Sequence, residues 1–231
     1  MMSDFIVYGS PLSPFVRKVE AVLECAGQAF DFENINIMDM PDWFLEISPL
    51  RRIPVLRDKT VGKTGIAGTI ADSSAICLYL DRKFNAGLFG KTDFDAGQVA
   101  WLEEYADSDL AIKTGMSVFR PIIFPRFSGQ PSDIETARKT WHTKLPANFD
   151  YLERQLDGKD FFVGDTYSIA DIAIGCQMTQ LDLVAGLPDR SNWPGLAAHT
   201  EKMKLHPGFV ENLATCTKIL RGLLPEKIDL G

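Results

Sequence analysis

Three short segments of this chain carry residue types that could hold a small anion and act on it. Ser10-Pro11-Leu12-Ser13-Pro14-Phe15 places two hydroxyls ahead of an apolar-periodic stretch. Arg52-Ile53-Pro54-Val55-Leu56 puts a cation and a proline at the mouth of a short apolar run. Ala71-Asp72-Ser73-Ser74-Ala75-Ile76 puts a carboxylate and hydroxyls at the head of a second helical pattern. Ser13, directly before Pro14, stands where an N-cap belongs, and the open amides of a helix N-terminus attract negative charge. Ser10 is its rival. Asp72 and Ser73 read either as a cap or as a holder of a ligand's ammonium and carboxylate. Ile53 precedes Pro54, a candidate cis proline, where its amide and carbonyl can pair with an extended peptide. Without a ligand the same segments are two helix caps and a strand entrance, and both readings stand at this point.

Other chemistries lack their residues. Gly62-Lys63-Thr64 looks like the tail of a phosphate loop, but the required glycine is replaced by Arg57. No Gly-x-Gly-x-x-Gly follows the first apolar run, so a dinucleotide fold is unsupported. His142, His199 and His206 have no metal-ligand spacing and read as surface or capping residues, so no metal is expected. None accompanies a Ser or Cys pattern of the hydrolase kind. Cys25, Cys77, Cys176 and Cys216 lie far apart with no Cys-x-x-Cys. Three of them read as buried small residues, which suits a reduced, cytoplasmic protein.

The 231 residues are 45% hydrophobic and 24% charged, enough for one large or two modest domains. The net charge of −7 argues against nucleic acid, whose phosphates need clustered cations. No apolar run reaches the ~18 residues of a membrane span, and no secretory signal opens the chain.

The positioning elements follow from periodicity. Phe5-Ile6-Val7-Tyr8 is a buried strand. Phe15, Val19, Val22, Leu23 and Ala26 then fall on one helical face, with Arg17, Lys18, Glu20 and Glu24 on the polar one. Phe30 to Ile37 alternates as a second strand, parallel to the first because a helix intervenes. Trp43, Phe44 and Ile47 mark a short irregular helix, Pro54-Val55-Leu56 a third strand, and Gly68-Thr69-Ile70 a fourth. Ser73 or Ser74 opens a helix to about Phe84. This β-α-β-α-β-β-α order gives an α/β domain over 1–85. A linker over 86–91 leads to an all-helical domain over 92–231. There, Ser132-x-x-Glu135 is read as a capping box opening one long helix to about Leu156, kinked at Pro146. Ser168-Ile169-Ala170-Asp171 is read as a second box.

In this order the motifs resemble those of the cytosolic glutathione S-transferase family, serine-using type. The likeness covers nearly the whole chain. It rests on Ser13-Pro14-Phe15 with Arg17-Lys18-Val19, Ile53-Pro54-Val55-Leu56, Asp72-Ser73 with Ala75-Ile76, and Ser168-x-x-Asp171. The resemblance implies a thioredoxin-like N-terminal domain, a helical C-terminal domain, a homodimer, and glutathione as co-substrate. It implies that Ser13 meets the glutathione sulfur and that Ile53 pairs with the cysteinyl backbone. Asp72 and Ser73 would hold the γ-glutamyl end. Serine-using members can carry a His-Lys pair for the glycyl carboxylate. Here Asp39-Met40 stands there, leaving Arg52 as the candidate cation. Leu12, Met116, Phe119, Arg120, Ile123 and Phe124 are the candidates for an electrophile pocket.

The energetics of a serine mechanism are adequate. Lowering a thiol pKa from ~8.5 to ~6.5 takes about 2.7 kcal/mol. A hydroxyl donating to a thiolate contributes ~1.5–3 kcal/mol, and a helix N-terminus about 0.3–1, up to ~2. Ser13 is therefore expected to be a hydrogen-bond donor, and the thiolate itself the nucleophile. The expected activity is conjugation of glutathione to a small hydrophobic electrophile. The alternatives are a glutathione-dependent isomerase or lyase, or a non-catalytic binding module on the same fold.

Overall fold

The computed structural model describes residues 3–231. The chain divides into two compact units. One comprises residues up to Leu88 together with Pro207–Asn212, and the other Phe89–His206 with Leu213–Gly231.

The first unit is a thioredoxin-like α/β domain. Strand β1 (Phe5–Gly9) leads to helix α1 (Pro14–Cys25), then β2 (Phe30–Asn34), the short α2 (Asp42–Ile47), β3 (Val55–Asp58), β4 (Thr69–Ala71) and α3 (Ser73–Phe84). The sheet order is β2-β1-β3-β4. β1 runs parallel to β2, whereas β3 is antiparallel to both β1 and β4. The apolar run of β1 is what a central strand covered on both faces requires; Val7 is fully buried. β2 lies at the edge and is mostly exposed. Tyr8, Ile35, Phe44, Ile47 and Val55 form a core cluster at one end of the sheet, against which the Ile53 side chain packs.

Arg57, on β3, is buried and is held by three hydrogen bonds. Its guanidinium donates to Tyr8 Oη (3.1 Å), Ala67 O (2.8 Å) and Gly65 O (2.9 Å). It thereby pins the glycine-rich turn between β3 and β4. Gly68 has φ +70°, and a Cβ there would meet Asp58 O at 2.5 Å, so only glycine fits.

The polar face assigned to α1 is partly corrected. Arg17 and Lys18 are 0% and 1% exposed. Lys18 Nζ donates to Ser74 Oγ on α3 (3.1 Å), and Arg17 Nε to Asn212 Oδ1 (2.7 Å). Partners distant in sequence cover part of this polar face.

The second unit is all helical: α4 (Asp93–Tyr105), α5 (Arg120–Phe127), α6 (Ile134–Thr143), α7 (Leu145–Leu156), α8 (Ile169–Asp182), α9 (Pro194–Lys204) and α10 (Pro207–Arg221). The first residues of α10, up to Asn212, belong with the first unit. Between α4 and α5 the chain winds as π-helix over Ala106–Leu110 and Ile112–Phe119. Two expectations change here. Asp133, not Ser132, caps α6, accepting from Thr136 N, while Ser132 Oγ donates to Ile122 O. The long helix is also broken rather than kinked. Lys144 leaves helical geometry at φ −120°, and Pro146 sits in the first turn of α7, where its missing N–H costs nothing.

α8 is buried along its whole length. Asp171, 0% exposed, accepts from Ser168 N (2.9 Å), Ser168 Oγ (2.8 Å) and Phe162 N (3.1 Å). His199 Nε2 completes the cluster at 3.1 Å, so His199 is a core residue rather than a surface one.

Candidate functional site

Sheet register gathers the three candidate segments of the first unit. Tyr8 pairs with Val55, and Val55 with Ala71. The loop leaving β1 carries Ser10 to Ser13, Ile53-Pro54 enters β3, and Asp72 leaves β4. All three therefore emerge at the same end of adjacent strands, which lie about 4.8 Å apart. From β1 to β4 is two such spacings, roughly 10 Å, the span of an extended tripeptide at about 3.4 Å per residue.

Ser13 is the N-cap of α1, with extended backbone (φ −85°, ψ 124°). Its Oγ accepts from Val16 N at 3.4 Å and donates to no acceptor among the described residues, so its proton is available. Ser13 N donates to Ser10 O (3.0 Å), closing a tight turn through Pro11 and Leu12. Ser10 supplies the carbonyl of that turn, whereas Ser13 supplies the cap. Both are half-buried, as is Leu12.

The Ile53–Pro54 bond is cis. With the Ile53 side chain against the core cluster, its backbone is the part left to interact; among the described residues its N–H and C=O have no partner. Pro54 is buried. Arg52 is held through its backbone: its N–H donates to Ser48 Oγ (3.0 Å), and Ser48 Oγ donates to Arg52 O (2.6 Å). The Arg52 side chain is exposed and makes no ion pair among the described residues.

Asp72 caps α3. Its Oδ1 accepts from Ser74 N (3.0 Å) and Ala75 N (3.2 Å). It does so at φ 80°, ψ 127°, a region costly for a residue with a Cβ. The carboxylate remains exposed, so its other oxygen faces solvent. Ser73 follows as the first helical residue, buried at 5% exposure. Lys18 was not singled out by sequence. Its ammonium stands on Ser74 in the first turn of α3, adding a full positive charge to a helix end that already favours anions. The available signal was its place at the edge of the α1 apolar stripe, three residues after Phe15.

Two ionisable groups of α1 are perturbed. Burial pushes the Glu20 carboxyl up to about 7, against the opposing bond from Asn212 and the charge of Arg17. Burial pushes the Cys25 thiol up to about 11, away from the reactive thiolate form. The carboxyl of Asp58 lies at the far end of the sheet from Ser13. Burial raises its pKa, but the bonds from Lys83, Thr60 and Tyr79 outweigh burial and hold it well below the usual range. That cluster ties α3 to β3 and is structural.

In the helical unit the proposed electrophile residues separate. Met116 and Arg120 are exposed and Phe124 is half-buried, and the Arg120 guanidinium lies 4.9 Å from the Phe124 ring centre. Phe119 is 3% exposed and Ile123 fully buried, so their side chains are core. The wider π-winding of Ile112–Phe119 changes which positions share a face, which a regular 3.6-residue period does not anticipate. Among the described residues no group of His, Cys, Asp or Glu is arranged to hold a metal. No helix there is long and apolar enough to cross a membrane.

Comparison with known proteins gives this geometry its context. A family model described as "Glutathione S-transferase, N-terminal domain" matches residues 7–88, and one described as "Glutathione S-transferase, C-terminal domain" matches residues 99–202. The chain is 26% identical to glutathione S-transferase D6 of Drosophila melanogaster, over 96% of this chain and 99% of that protein. It is 31% identical to glutathione S-transferase F10 of Arabidopsis thaliana, over 71% of this chain and 75% of that one. It is also 30% identical to elongation factor 1-gamma of Schizosaccharomyces pombe, where it spans 76% of itself and 40% of that longer protein. The crystal structure of a glutathione S-transferase from Sinorhizobium meliloti 1021 superposes with a TM-score of 0.79 at 22% identity, covering 93% of both chains. Two domain matches in this order over most of the sequence, on this sheet and helical bundle, make the chain a member of the cytosolic glutathione S-transferase family.

Proposed function

We propose that this protein is a glutathione transferase of the serine-using type. The Ser13 hydroxyl donates a hydrogen bond to the glutathione thiolate, which stays ionised, and the N-terminus of α1 adds its field. The N–H and C=O of Ile53 take the cysteinyl backbone. Asp72 faces the γ-glutamyl ammonium, while Ser73 and the first turn of α3, backed by Lys18, hold the γ-glutamyl carboxylate. Arg52 is the cation for the glycyl end. The thiolate sulfur forms the new C–S bond to a small hydrophobic electrophile, whose leaving group departs with the electron pair of the broken bond.

The observation that carries this reading is the convergence, at one end of the sheet, of the Ser13 hydroxyl and the Ile53 backbone, neither proton nor amide partnered among the described residues, and the α3 N-terminus. The likeness to elongation factor 1-gamma favours a second reading, a module that keeps the fold without conjugating anything. Calorimetry with glutathione, followed by a conjugation assay with a chromogenic aryl halide, separates the two. Binding with turnover is the expected result. Binding without turnover across electrophile classes favours the module, and no binding at millimolar glutathione removes the assigned site.

A further inference from the structure

The turn that carries Ser13 is held from outside its own domain sequence. Asn212 lies on α10, in the stretch Pro207–Asn212 that packs with the α/β unit. Its side-chain amide makes three hydrogen bonds there. Oδ1 accepts from Arg17 Nε at 2.7 Å, and Nδ2 donates to Glu20 Oε2 at 2.8 Å and to Pro11 O at 3.2 Å. Asn212 is 7% exposed, so these bonds do not compete with bulk water.

The Pro11 contact reaches the reactive loop. The bond from Ser13 N to Ser10 O makes Ser10 to Ser13 a four-residue turn, and the Pro11 carbonyl belongs to its central peptide group. That peptide is the part whose orientation distinguishes type I from type II turns. A donor fixed on the Pro11 oxygen holds it one way round and so fixes the direction from which the chain enters Ser13. Arg17 and Glu20, one and two turns into α1, give the same amide its footing on the helix that Ser13 caps.

The backbone beneath is built for this approach. A Cβ on Gly208 would lie 2.6 Å from Ala21 Cα, a clash with backbone that no rotamer relieves. Glycine at the start of α10 lets that helix close on α1, and Asn212, one turn further along, is brought within reach of the turn.

Resting on the Ser13 reading above, we infer that Asn212 is a positioning residue for the Ser13 hydroxyl, clamping the Ser10–Ser13 turn to α1 through the Pro11 carbonyl.

The test is the pKa of the glutathione thiol in the complex, read by thiolate absorbance, in a double-mutant cycle. Asn212→Ala is expected to raise that pKa by about half of the shift given by Ser13→Ala, and to add nothing in the Ser13→Ala background, because a clamp on an absent hydroxyl has nothing to position. Asn212→Asp keeps the acceptor for Arg17 and removes the donor to both Pro11 and Glu20, placing an oxygen against those two acceptors; it is expected to raise the pKa at least as much and serves if the alanine variant does not fold. The inference is overturned if Asn212 variants bind glutathione with the wild-type thiol pKa, or shift it equally with and without Ser13. If Ser13→Ala itself leaves the pKa unchanged, the Ser13 assignment falls and the clamp falls with it. If only the Asn212 variants are silent, the Ser13 assignment stands.

Discussion

Asp72 has one observed task and one proposed task, and substitution can separate them. Its Oδ1 caps α3, and its exposed charge is assigned to the ligand ammonium. Asp72→Asn keeps an oxygen for Ser74 N and Ala75 N, so stability should hold within about 0.5 kcal/mol while glutathione binding weakens about tenfold or more, the loss of one charge-assisted bond. Asp72→Ala should lose the same affinity and also about 1 kcal/mol of stability. Calorimetric binding with urea unfolding on both variants checks this; equal affinity for Asn and wild type would remove the ammonium role. The residue types at this site were legible because caps announce themselves: a serine before a proline, and an aspartate before an apolar run. What was not legible is the strained φ of Asp72 and the burial of Lys18. Both depend on which neighbours the fold supplies, Ser74 in the case of Lys18.

Among the elements, the Ser168–Asp171 box ties three segments together through one buried carboxylate. Asp171 satisfies Ser168, Phe162 and His199 at zero exposure. Asp171→Ala strands several buried donors at about 1–3 kcal/mol each and should cost about 3 kcal/mol or more in a urea midpoint series. A loss under about 1 kcal/mol would show that water or rearrangement replaces the carboxylate. The motif itself was readable from sequence, but its partner His199, from α9, was not. The same locality explains the errors. Ser132-x-x-Glu135 has the spacing of a box, yet Asp133 one residue later takes the cap because Ser132 is drawn to Ile122 and Arg126. Strand and helix identities in the α/β unit followed from alternation and punctuation alone. The π-winding of Ala106–Phe119 leaves no signal in a 3.6-residue period, so the exposure of Met116 and the burial of Phe119 were not predictable together.

At the scale of the whole molecule, Glu20 links stability to pH. Burial raises its folded pKa from 4.5 to about 7, so the fold favours its protonated form. The associated stability is full below pH 4.5, declines as pH rises through the window from 4.5 to about 7, and is gone above it. The charges facing it are Arg17, which opposes the shift, and Glu211, which reinforces it. Glu20→Gln removes the titration. Relative to wild type it should gain on the order of 2 kcal/mol between pH 5 and pH 8, measured as the difference in unfolding free energy at the two values. A difference that does not change with pH would place the Glu20 carboxyl at its ordinary value. The cluster also shows why the chain's two-part organisation was only partly readable. A linker after α3 is visible as Asn85 to Gly90, but the return of Pro207–Asn212 to the first unit is encoded in Gly208 and Asn212, two residues with no periodic signature.

The central claim, that the Ser13 hydroxyl stabilises a bound thiolate, is tested most directly by titrating glutathione in complex with wild type and with Ser13→Ala, following thiolate absorbance against pH, with Ser10→Ala alongside. Loss of a hydroxyl bond to a charged sulfur, about 1.5–3 kcal/mol, predicts a rise of about 1–2 pKa units in Ser13→Ala and none in Ser10→Ala. A Ser13→Ala complex that titrates at the wild-type pKa would contradict the account.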